Sequence, residues 1–147
     1  MAASLFVTVV AGLGELFVLS ARFASDAERR GQAVIAAQAK IEDLRSRHFG
    51  YDAAGDPITD SVLAPSPAGT LRAEAEGYFE ALDSNAEVIR AGDRGSGAFS
   101  RRWSIAPLDT LAPDALAIEV CVFREPAPAS APAAAEICLS TIRARQP

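Results

Sequence analysis

Apolar and small residues fill the chain from Ala2 to Ala21, interrupted by a charge only at Glu15, and no proline separates this run from the charged, helix-periodic stretch Arg22 to Arg45. The pattern predicts one continuous helix, greasy in its first half and amphipathic in its second. At about 1.5 Å per residue, roughly 20 apolar residues reach about 30 Å, the thickness of a hydrocarbon core. Glu15 works against a lone span, because a carboxylate at that depth costs about 3 kcal/mol unless it is paired, protonated or near the interface. Gly12 and Gly14 lower helix propensity and let another backbone approach closely. Such a run suits a bundle of packed helices better than solitary passage through lipid. A cleaved secretory signal would begin with basic residues, and no Lys or Arg precedes Arg22. A buried core helix is the plainest alternative.

In the second half, Val34, Ala37, Ile41 and Leu44 recur at spacings of three and four, which makes an apolar stripe, with Gln38, Lys40, Glu42, Asp43 and Arg45 largely outside it. That stripe is expected to pack on a sheet, with Trp103 as the main aromatic of the core. After His48-Phe49-Gly50 the helical pattern stops. Tyr51 to Pro67 is rich in Asp, Ala, Gly, Pro and Ser and reads as a loop, within a connection over 50–76. Tyr78–Leu82 and Glu87–Arg90 read as short strands around the turn chemistry of Asp83-Ser84-Asn85-Ala86. Phe99–Ala106, Ala115–Phe123 and Glu136–Ile142 supply three more. The expected class is α+β, a long N-terminal helix laid on a small antiparallel sheet. Its segments are an apolar helix over 1–21, an amphipathic helix over 22–47 and a head over 48–147.

Val120 and Val122 flank Cys121, and Ile137 and Leu139 flank Cys138. If Phe123 faces Glu136 in an antiparallel pair, Cys121 faces Cys138 and a disulfide is within reach. A bridge would suit an oxidising compartment. Two buried free thiols remain the alternative.

The net charge of −5 and pI near 4.9 argue against nucleic acid as a direct partner, since phosphate binding needs a basic face. Arg90, Arg94, Arg101 and Arg102 form a local exception and read as a solvated edge. Catalytic signatures are missing. Asp52, Asp56 and Asp60 lack the alternating oxygens of a calcium loop, and Gly92-Asp93-Arg94-Gly95-Ser96-Gly97 lacks the Lys-Ser/Thr of a phosphate loop. The lone histidine, His48, specifies neither a metal site nor a base for Ser61 or Ser66. No catalytic residue, metal, cofactor or small-molecule substrate is expected.

Three segments carry a resemblance. They are Ala2-Ala3-Ser4-Leu5-Phe6-Val7, Leu16-Phe17-Val18-Leu19-Ser20, and Ala36-Ala37-Gln38-Ala39-Lys40-Ile41-Glu42-Asp43-Leu44-Arg45. Together they resemble type IV pilin-like proteins, above all the minor pilins of the PilV type and the I-type pseudopilins of type II secretion. Leu63 to Gly69, Gly77 to Asp83 and Arg101 to Leu108 are similar to segments of the same group. The resemblance implies a non-enzymatic subunit of a pilus or pseudopilus. Its N-terminal helix would be stored in the inner membrane and its head in the periplasm, with other pilin-like subunits and inner-membrane assembly proteins as partners. It implies that Leu5, Phe6, Val9, Val10, Leu13, Leu16 and Phe17 exchange lipid for neighbouring helices in a filament core.

One departure stands out. The family opens with a basic leader, a Gly at the peptidase site, a Phe that becomes methylated and a Glu soon after. Met1 falls where the residues beyond that Glu would lie, and Glu15 is too far along to take its role. By the positive-inside tendency Arg22, Arg29 and Arg30 would hold the following head in the cytoplasm. A periplasmic head needs positive charge upstream, so the expectation is a gene start placed too late. A single-pass anchored periplasmic binding domain that does not polymerise is the alternative.

Overall fold

The computed structural model describes residues 2–89, 97–109, 112–125 and 135–146, with side chains from Gly14 onward apart from those of 109, 112 and 113. Helix α1 (Ala2–Ser46) contains no proline and is rich in alanine, the residue that loses least on entering a helix. The chain divides into two compact units, Met1–Gly31 and Gln32–Pro147. In the first unit α1 is the whole of the described structure. Its large apolar side chains from Leu16 to Phe23 are exposed, and Asp26 and Arg29 form a solvent-facing pair at 3.7 Å.

The second unit joins the C-terminal part of α1 to two antiparallel sheets. β1 (Phe49–Tyr51) and β2 (Pro57–Thr59) make a small hairpin, followed by a 3-10 turn at Ser61–Leu63. The larger sheet has the order β3 (Phe79–Leu82), β4 (Phe99–Asp109), β5 (Ala112–Arg124) and β6 (Ala135–Ala144), each antiparallel to its neighbour. The α+β expectation of a long helix on a small antiparallel sheet therefore holds.

Alternation fixes the two faces of this sheet. Leu116, Ile118, Val120 and Val122 on β5 are buried with Trp103 and Ile105 of β4, Leu82 of β3, and Ala33, Ala36, Ala37, Ile41 and Leu44 of α1. Val34, read as part of the stripe, is only half-buried, while Ala33 and Ala36 are covered.

Three expectations need correction. The stretch read as an unbroken loop contains the β1–β2 hairpin, whose turn is built by Asp52. Its Oδ1 accepts the amide N–H groups of Ala54 and Asp56, both at 2.8 Å. Glu87 to Arg90 does not make a strand within the described residues. Val88 forms a lone bridge to Leu82, because Asp83 closes the chain early by accepting from the amides of Asn85 and Glu87. Ala86, at φ 65°, takes the left-handed conformation this closure needs. Finally, Phe123 faces Ala135 rather than Glu136, since the register shifts between Val122 and Phe123. Cys121 nevertheless faces Cys138, because the shift lies beyond that pair.

Candidate functional site

A cluster of charges lies between helix and sheet. Lys40, read as a solvent-facing residue, is buried with its ammonium 3.9 Å from the centre of the Trp103 ring. Its Nζ donates to Glu80 Oε1 at 2.7 Å, and Arg101 donates to Glu80 Oε2 from Nε and from its terminal nitrogen. The second terminal nitrogen of Arg101 donates to the carbonyl of Ala36 at 2.6 Å. Burial raises the pKa of Glu80, but hydrogen bonds and charge from Lys40 and Arg101 outweigh it and hold the carboxyl below its ordinary 4.5. Arg101 and Arg102 are thus no solvated edge: both are buried, and Arg102 lies over the Phe123 ring. Arg90 and Arg94 lie outside the described residues. Lys40, Glu80 and Arg101 are each spent on another group of the fold, so they fasten the helix to the sheet.

A second set of arginines binds the end of α1 and the β1–β2 hairpin that follows it. Arg143 donates to the carbonyls of Leu44 and Arg47, which a helix end leaves without intrahelical partners. Arg145 pairs with Asp114 at 2.9 Å, donates to Gly50 O and Ile58 O, and stacks over Phe49.

Of the residues considered for chemistry, Asp52, Asp60 and Ser66 are used for folding. Asp60 Oδ1 caps the 3-10 turn by accepting from the Val62 amide, and the Ser66 hydroxyl accepts from the Ile105 amide at 3.0 Å. His48 is exposed, and Gly92–Ser96 lie outside the described residues. Cys121 and Cys138 are joined in a disulfide. Glu119 lies beside them, but bonded sulfurs offer no thiolate to a metal.

What remains is the first unit. Leu16, Phe17, Val18 and Leu19 are 63, 74, 54 and 49% exposed, and Phe23 is 67% exposed. Successive residues of an α-helix are turned by about 100°. Four consecutive large apolar residues therefore point to all sides of α1, and no single partner face covers them. A helix that is apolar all round belongs inside a packed assembly or a membrane. Leu5, Phe6, Val9, Val10 and Leu13 lie outside the residues whose side chains are described. Among the described residues, no helix is long and apolar enough to cross a membrane. The chain matches no family model, no curated protein and no solved structure.

Proposed function

We propose that the chain is a minor pilin or pseudopilin, a structural subunit of a filament related to type IV pili or type II secretion pseudopili. The observation that carries this reading is the collar of Leu16 to Leu19, exposed on every side of α1. A filament core surrounds each helix with several others, which is the environment such a collar requires. The second unit supports the reading in a different way. Its helix and sheet are tied together by the Lys40–Glu80–Arg101 cluster and by Arg143, which suits a rigid head that displays a surface rather than a site that turns over substrate.

In this mechanism the first unit waits in the inner membrane, with the head in the periplasm. Assembly exchanges lipid around the collar for neighbouring pilin-like helices, and the head modifies the filament surface. A photoreactive benzophenone amino acid at Phe17, in the protein expressed from its own locus, tests it. Adducts to other copies or to other pilin-like helices are the expected result. Adducts to lipid alone would instead favour the anchored domain that does not polymerise, and a protein recovered without membrane or helical partners would overturn both.

A further inference from the structure

β6 is the last strand of the larger sheet, and the pairing pattern shows which of its backbone groups are spent. The Arg145 amide donates to the Asp114 carbonyl of the β5 side at 2.7 Å, so the odd-numbered residues of β6 turn their N–H and C=O groups toward β5. The Cα atoms of Cys121 and Cys138 are 4.1 Å apart, the close spacing of an antiparallel pair that exchanges no hydrogen bonds. On β4, the amide of Trp103 donates to Tyr78 O on the β3 side, which gives the same alternation from the opposite edge. Cys138, Ser140, Ile142 and Ala144 therefore direct their N–H and C=O groups away from the sheet, while Glu136 lies at the register shift. Among the described residues, none of these groups is bonded. The next even residue, Gln146, donates its amide to Phe49 O at 3.0 Å, so the open edge ends at Ala144.

Natural edge strands are usually blunted by a proline, a lysine, a bulge or a cover. β6 contains neither Pro nor Lys, and its only register shift lies at its beginning, opposite Val122 and Phe123. Cys138, Ser140 and Ile142 are exposed, the last at 63%, while Ile137 and Leu139 are half-buried against the core and leave their outer flanks uncovered.

We infer that this edge pairs with β6 of a second copy of the chain, joining two four-stranded sheets into one. The strand is complementary to itself. Outward groups meet only when even residues oppose even residues, and full overlap of Glu136–Ala144 then puts Ser140 opposite its own counterpart. In that register Cys138 faces Ile142, Leu139 faces Thr141, Ile137 faces Arg143 and Glu136 faces Ala144. No like charges meet, and the apolar flanks of Ile137 and Leu139 are covered. This pairing uses the second unit alone and does not depend on the filament reading.

Sedimentation of the full chain in mild detergent, over a range of concentrations, tests it. The wild type should dimerise. Ser140→Pro removes an amide that points outward while leaving the β5 ladder intact, and should weaken the dimer about tenfold or more. Ser140→Lys should weaken it about threefold by opposing like charges, and mixing that variant with Ser140→Glu should restore a mixed dimer. A wild type that stays monomeric overturns the inference. So does a dimer that none of the three variants changes, since helix association in detergent would persist in all of them. If Ser140→Pro fails to fold, the Lys and Glu pair still decides: loss in the single variants with recovery on mixing supports the pairing, and no recovery refutes it.

Discussion

Between Leu16 and Phe23, α1 carries large apolar side chains that stand exposed; between Ala33 and Leu44 one face, made of Ala33, Ala36, Ala37, Ile41 and Leu44, is covered, and Ile35 on the other face is 64% exposed. The half with more hydrophobic surface is thus the half that buries less of it. Apolar area contributes about 25 cal/mol per Å2 only when it leaves water. In the C-terminal half the alanines contribute little area, and long side chains make the link instead: Arg101 reaches the Ala36 carbonyl and Lys40 reaches the Trp103 ring. Between Leu16 and Phe23 the apolar area is large and is covered by nothing in the described chain, so it contributes no such burial to this fold. One half of the helix serves folding, and in the proposed function the other serves association.

The contrast breaks most sharply at Trp103. It is 3% exposed, packs at a tilt on Tyr78 and carries the Lys40 ammonium on its ring. Trp103→Ala should cost the second unit about 3–5 kcal/mol, through a cavity and through a buried cation deprived of its aromatic face. Far-ultraviolet circular dichroism in a urea titration would show the midpoint shift. A midpoint close to that of the wild type would mean that the helix is not fastened through this residue.

The ease with which each half could be read from the sequence follows the same division. Strands β4, β5 and β6 are legible because Ile118, Val120 and Val122 alternate with residues of the other face; that Cys121 faces Cys138 is inferred from a Phe123–Glu136 pairing that the register does not contain, and it holds because the shift lies beyond the cysteine pair. Hydrophobic periodicity found Ala37, Ile41 and Leu44 for the same reason. Lys40 and Arg101 escaped it, because a pattern of apolar positions assigns every cation to solvent. Their burial depends on Glu80, which is distant in sequence and becomes their neighbour only after β3 pairs with β4. The β1–β2 hairpin was hidden by its shortness and by Pro57, and its support comes from Arg145 near the far end of the chain. The collar was fully visible as composition, but what it is for is not written in its own residues.

A smaller effect sharpens the same contrast through pH. Glu80→Gln leaves Lys40 and Arg101 buried without their carboxylate and should cost about 2 kcal/mol near neutral pH. Because folding depresses the Glu80 pKa, its contribution is fully present above the ordinary value of 4.5 and disappears as pH falls through the lower folded value. The wild type and Glu80→Gln should therefore differ most above pH 4.5 and converge on acidification. Urea midpoints measured across this range would show it. A constant gap down to strongly acidic pH would mean that the loss comes from packing and not from charge.

The smallest expected change in stability is at Phe17. Its side chain is 74% exposed, so Phe17→Ser removes no contact that the fold of the second unit uses, and the urea midpoint should stay within about 0.5 kcal/mol of the wild type. Association should behave differently, because the substitution places a hydroxyl in the collar where lipid or neighbouring helices would surround it. Recovery of the protein with membranes, or its photocrosslinking to other helices from a probe at Leu16, should fall while the melting of the head is unmoved. If stability fell instead, the collar would be a covered part of the fold, and the separation between a folding half and an associating half of α1 would fail.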